Sequence, residues 1–164
     1  MVRMTVIQVG FDRSTNTPVV MLREDGGERE LPIWIGAPEA NAIAMELKGE
    51  TPARPMTHDL LKQVLLGLGG ELRRVTITGL RETTYLAELL IYRGDQIFEV
   101  DSRPSDSIAL ALRTQAPIFA NEELLDRNGT STEPPPDATP DNDPEALRRF
   151  LARLDPQDLG KFQP

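Results

Sequence analysis

Three short polar runs hold the residue types that could do chemistry. The first is Asp101-Ser102-Arg103-Pro104-Ser105-Asp106. Asp101 and Asp106 offer the hard oxygen donors that Mg²⁺ or Mn²⁺ take. Arg103 offers a planar fork that grips phosphate through two hydrogen bonds. Ser105 falls where a helix start would aim backbone N–H groups at the same anion. The second run, Arg54-Pro55-Met56-Thr57-His58-Asp59, holds the one histidine of the chain. His58 is the side chain here that ordinarily titrates near neutrality. It suits a general base or a metal ligand beside Asp59, with Arg54 as a further phosphate contact. The third is Glu39, in Ile35-Gly36-Ala37-Pro38-Glu39-Ala40. Each run also has a plain structural use. Ser102, Ser105 and Thr57 suit helix caps, and Asp106, Asp59 and Glu39 suit the first turn, where acids favour the helix dipole.

All three runs sit at places where the pattern predicts a helix start. Alternation of apolar and polar residues predicts strands over 4–11, 18–23 and 30–35, with Glu24-Asp25-Gly26-Gly27 as a turn between the second and third. Pro32 points to an edge position or a strand start. A helix over 38–48 carries Ala40, Ile43, Ala44 and Leu47 on one face and ends at Gly49. A second helix, 58–68, places Leu60, Leu61, Val64, Leu65 and Leu68 on its buried side, with Thr57 as its cap. Strands over 73–79, 84–92 and 96–101 and a helix over 104–113 follow. A short strand at 117–120 and a short helix at 122–125 end the regular part.

The order strand, strand, strand, helix therefore occurs twice. At an offset of 65, Ile33, Ile35, Ile43, Ala44 and Leu47 fall on Phe98, Val100, Ile108, Ala109 and Leu112. The expected fold is α+β: two βββα halves forming a mixed or antiparallel sheet packed by helices, with the 58–68 helix as the joint. Trp34 alternates with Ile33 and Ile35 and faces away from them, as a stacking platform for a base or a subunit contact.

Composition bounds the function. No cysteine is present, which removes disulfides and thiolate chemistry. The first ten residues alternate rather than forming a signal peptide, and no apolar run is long enough to span a membrane. A soluble, cytoplasmic chain is expected. The net charge is −8, and residues 1–125 alone carry 13 basic and 18 acidic side chains. A protein that grips nucleic acid by charge alone shows the opposite balance. The one histidine excludes paired-histidine zinc spacing, and no Gly-rich phosphate loop or nucleophile elbow occurs. The domain is expected to cover 1–127. A Pro-rich linker should follow over 128–143, and a short amphipathic helix over 144–164, with Leu147, Phe150, Leu151 and Leu154 on one face. A helix that short is marginal alone, so it should dock on the core, on another subunit or on a protein partner.

Four segments together resemble the bifunctional nuclease domain family. They are Leu31-Pro32-Ile33-Trp34-Ile35-Gly36 with Glu39-Ala40; Arg54 to Leu60; Thr83-Thr84-Tyr85-Leu86-Ala87; and Asp101 to Ala111. The resemblance spans about residues 3–128. Phe150-Leu151 and Pro156-Gln157-Asp158 resemble the C-terminal extension of actinobacterial members. Tyr85-Leu86 departs from the family, where an aromatic followed by Ala is usual. The resemblance implies an α+β fold, a homodimer and, as in some plant members, nuclease activity on RNA and DNA. Glu39, His58, Asp59, Asp101, Arg103 and Asp106 occupy its motif positions.

The expected function is thus phosphodiester hydrolysis of DNA and RNA. In that reading Asp101 and Asp106 hold Mg²⁺ or Mn²⁺, with Glu39, His58, Asp59 and Arg103 as catalytic residues and Arg54, Arg103 and Ser105 on the phosphate. The alternatives are a non-catalytic dimeric module that binds an anion or nucleotide and a protein partner, and a small-molecule phosphoester hydrolase using the same carboxylates.

Overall fold

The structure is a computed structural model of the chain, and it describes residues 1–131. Of the expected 128–143 linker, Asn128 ends a helix and Thr130–Ser131 form a strand; its residues 132–143 and the expected C-terminal helix over 144–164 lie outside the described residues.

The chain opens with a meander: β1 (Val2–Asp12), β2 (Thr17–Glu24) and β3 (Arg29–Trp34). Helix α1 (Ala37–Leu47) follows, then α2 (Thr57–Gly67). A second meander comprises β4 (Glu71–Arg81), β5 (Thr84–Arg93) and β6 (Gln96–Ser102), and leads into α3 (Pro104–Thr114). The chain then adds β7 (Ile118–Ala120), α4 (Glu122–Asn128) and β8 (Thr130–Ser131). Two hairpin turns place glycine where the backbone turns left-handed, Gly26 at φ 77° and Gly94 at φ 58°, and the other two place Asn16 at φ 54° and Glu82 at φ 57° there.

One eight-stranded sheet results, in the order β6-β5-β4-β7-β1-β2-β3-β8. The short β7 joins the two meanders. It runs antiparallel to β1 and parallel to β4. The α+β fold and its repeated strand-strand-strand-helix order are therefore present, as expected. The starts of the elements do not follow the expected offset of 65. An offset of 67 carries Arg29, the start of β3, onto Gln96, the start of β6, and Ala37 onto Pro104. The offset of 65 matched apolar residues, and apolar periodicity repeats within an element, so it fits more than one register. At 67, Glu39 falls on Asp106.

Alternate residues of the strands form one core with α1 and α3. Val20, Leu22, Leu31, Ile43, Val75, Ile77 and Ile108 are wholly buried in it. Each such side chain contributes roughly 1.5–3 kcal/mol. Pro32 sits opposite Met21 of β2, and β8 pairs with β3 only at Arg29 and Glu30. The missing N–H thus falls on the open part of that edge.

Helix α2 departs from its expectation. Its leucine stripe was expected to face the core. Of that stripe Leu65 packs against the core, but Leu60, Leu61, Val64 and Leu68 are exposed by 43–67%, and His58 is the residue the helix buries. The helix packs chiefly on α3, and its polar edge makes that contact. Periodicity locates an apolar face but not the element that covers it. No helix of the described residues is long and apolar enough to cross a membrane.

Candidate active site at three helix starts

Helices α1, α2 and α3 each begin with an acid at the third position: Glu39, Asp59 and Asp106. The local sequence dictates these starts. Pro104 has no N–H to leave unpaired at a first helical position, and it forces Arg103 before it into extended backbone (φ −73°, ψ 143°). Gly36 precedes α1, and a Cβ there would collide with the Glu39 carboxylate, which folds back over it. The expected serine and threonine caps are not used. Arg103 and Met56 hold the cap positions of α3 and α2, and Thr57 is already inside its helix. Asp59 takes over the capping: its Oδ2 accepts from the Met56 N–H at 2.9 Å. Ser102 instead bonds Ser107, whose hydroxyl also donates to the Arg103 carbonyl at 3.0 Å. That contact fastens the end of β6 to α3 and fixes where Arg103 leaves the strand.

The starts of α1, α2 and α3 meet through one chain of contacts. Arg103 Nη2 donates to Glu39 Oε1 at 2.8 Å, and Arg103 Nε to Asp106 Oδ2 at 2.7 Å. The other oxygen of Asp106 lies 3.0 Å from His58 Nε2. Asp106 thus links the histidine to the arginine. These bonds, with the His58 contact foremost, bring its carboxyl down to about 2, against an ordinary 3.8. An ionised carboxylate only accepts hydrogen bonds. The proton on His58 that faces it therefore sits on Nε2, and Nδ1 of the neutral ring carries the lone pair. The His58 side chain is 10% exposed, while that of Arg103 is 66% exposed. The guanidinium is the outward part of the group.

Asp59 belongs to a second, more buried network. Its Oδ1 takes the Arg113 Nε–H at 2.6 Å, and that bond is the main cause of its lowered pKa. Arg113 also donates to the carbonyls of Ala109 and Ala42, at 2.9 and 3.1 Å. Its side chain is 5% exposed, so this one cation ties α1, α2 and α3 together. Lys62 adds a bond to the Arg113 carbonyl at 2.7 Å. Sequence reasoning passed over Arg113. Its signal was a single cation closing the apolar run Ile108-Ala109-Leu110-Ala111-Leu112, on a helix buried on most sides.

The structure brings Glu39, His58, Arg103 and Asp106 into contact and places Asp59 beside them. The other candidates stand apart. Ser102 turns toward α3, so by strand alternation Asp101 points to the opposite face of β6. Arg54 is exposed in the loop before α2 and has no ion pair among the described residues. Ser105 is buried. A protein-built cation cage does not fit this arrangement. Both oxygens of Asp106 are engaged, Arg103 already contributes a positive charge, and no three His, Asp or Glu side chains of the described residues group to hold a metal. Trp34 is 46% exposed and donates its indole N–H to Asp12 at 2.9 Å.

A family profile described as the bifunctional nuclease domain matches residues 20–133. The chain belongs to the bifunctional nuclease domain family. Among its relatives, an uncharacterized protein of Mycobacterium tuberculosis is 40% identical over 159 residues, covering 94% of this chain and 95% of that protein. Bifunctional nuclease 2 of Oryza sativa subsp. japonica is 32% identical over 126 residues, 74% of this chain and 39% of the rice protein. Bifunctional nuclease 1 of Arabidopsis thaliana is 27% identical over 121 residues, 72% of this chain and 37% of its own length. This bifunctional nuclease domain thus spans about two fifths of the plant proteins it matches. The matched region includes all three helix starts.

Proposed function

We propose that the chain hydrolyses phosphodiester bonds of DNA and RNA at the cluster where α1, α2 and α3 begin. One observation carries the reading: Asp106 bridges an imidazole and an outward guanidinium. Arg103 holds the phosphate and meets the charge that grows on its oxygens as water attacks. His58 takes the proton of that water at Nδ1, and Asp106 keeps the ring in the tautomer that can do so. Glu39 steadies Arg103 from the other side. The bond from phosphorus to the leaving sugar oxygen breaks, and that oxygen takes a proton from solvent. Mg²⁺ or Mn²⁺ would come with the phosphate groups of the substrate, as Mg²⁺ commonly does. A net charge of −8 makes binding weak and sensitive to salt.

The test is cleavage of labelled single-stranded DNA and RNA by the purified full chain, in Mg²⁺, Mn²⁺ or EDTA. His58→Ala and Asp106→Asn should each lower the rate by about a hundredfold or more, the usual scale of one acid–base group. Unchanged cleavage in the double variant would move the reaction elsewhere.

A second reading rests on the saturation of the cluster. Glu39, Asp59 and Asp106 all have protein partners, as they would in a binding module that pairs as a homodimer and turns nothing over. Absence of cleavage under every metal condition, together with a dimeric mass by light scattering, would decide for it.

A further inference from the structure

The stripe on α2 is an apolar helix face that no described element covers. Leu60, Leu61, Val64 and Leu68 follow the spacing of a buried helix face, yet all four are exposed. Soluble chains rarely leave such a stripe open. The sequence supplies a matching partner. Leu147, Phe150, Leu151 and Leu154 repeat the i, i+3, i+4, i+7 pattern of one helical face. The two stripes have similar length and composition.

Reach and charge agree with the match. The described chain ends at Ser131, paired beside β3. Residues 132–143 could span up to about 40 Å when extended. The eight-stranded sheet is about 34 Å across even if flat, so the segment can reach α2 of its own chain. Residues 1–131 carry 14 basic and 19 acidic side chains, whereas 144–154 carry Arg148, Arg149 and Arg153 against Glu145 alone. The acidic body and this short basic stretch attract.

We infer that residues 144–154 lie along α2 of the same chain and cover the stripe formed by Leu60, Leu61, Val64 and Leu68. The occupant is the tail rather than a second copy because it brings both the apolar spacing and the opposite charge. Docking there clamps α2, the helix that carries His58, from the side that α3 leaves free.

Hydrogen exchange of α2 amides in the full chain tests this, because the tail can be altered without touching the described core. Leu147→Asp with Leu151→Asp should speed α2 exchange by about tenfold, and Val64→Asp should do the same from the other side. Unchanged exchange in the tail variant would overturn the inference. The absence of cysteine gives a second readout. Val64→Cys with Leu151→Cys should oxidise within one chain at any concentration. A bond between chains, or α2 protection that rises with protein concentration, would assign the face to a second copy instead.

Discussion

The two strand-strand-strand-helix units place an acid at the same position, and the chain uses the two acids differently. Glu39 opens α1 and, among the described residues, pairs with Arg103 alone. Asp106, at the matching position of α3, holds Arg103 and also His58. The residue before the first helix is Gly36, which leaves room for the Glu39 carboxylate. Its counterpart is Arg103, which reaches out of the same corner toward solvent. The far ends differ as well. Helix α1 has no basic residue in its last turn, whereas α3 has Arg113. The same element order thus supplies two similar helix starts, and unequal side chains fill them differently. The second unit carries the cation, the carboxylate that orients the imidazole, and the buried arginine that fixes α2.

If that asymmetry is real, changes in the second unit should cost more than matching changes in the first. The largest effect belongs to Arg113→Ala. It strips the largely buried Asp59 carboxylate of its cation and removes a second donor from two helix carbonyls, so unfolding in urea should show a loss of about 3–5 kcal/mol. Asp106→Asn comes next. Beyond its effect on cleavage, it should lower stability at neutral pH by about 1–3 kcal/mol. The sign of its pH dependence follows from the depressed carboxyl. The native form titrates at about 2 and the unfolded one near 3.8. The stabilisation is therefore whole above about pH 4 and drains as the pH falls toward 2. Urea titrations of parent and variant should converge over that window and remain parallel above it.

Glu39→Gln tests the first unit directly. Its partner Arg103 is largely exposed, so the loss should stay below about 1 kcal/mol, with cleavage falling less than in Asp106→Asn. An equal or greater loss would erase the asymmetry. Asp101→Asn should do least. The residue lies at the exposed end of an edge strand, so stability should change by under about 0.5 kcal/mol and cleavage should be unaltered. A strong loss of cleavage there would restore the cation site that the arrangement of Asp106 speaks against.

Much of this was legible in the sequence because local rules set it. Turn glycines, strand alternation and the two prolines at helix starts located β1 to β6 and α1 to α3 within a residue or two. They also put Glu39, His58, Arg103 and Asp106 at comparable junctions. What stayed hidden depends on tertiary neighbours. The leucines of α2 have a core pattern, but no rule of spacing says that α3 meets its polar edge instead. The short strand at β7 was expected, but nothing in its three residues says that it pairs with both β1 and β4 and so joins the meanders. Arg113 sits in a helix whose pattern is apolar, and its importance arises from carbonyls and a carboxylate that come from α1 and α2. Asp101 shares a motif with Asp106, yet strand alternation sends it to the other face.

The claim on which the rest depends is that Asp106 orients His58. The chain has one histidine, so ring ¹⁵N signals in a nuclear magnetic resonance spectrum belong to it without ambiguity. At alkaline pH, where the ring is neutral, the proton should reside on Nε2, and Asp106→Asn should release that preference. A proton on Nδ1 in the parent chain, or a tautomer indifferent to Asp106→Asn, would contradict the account.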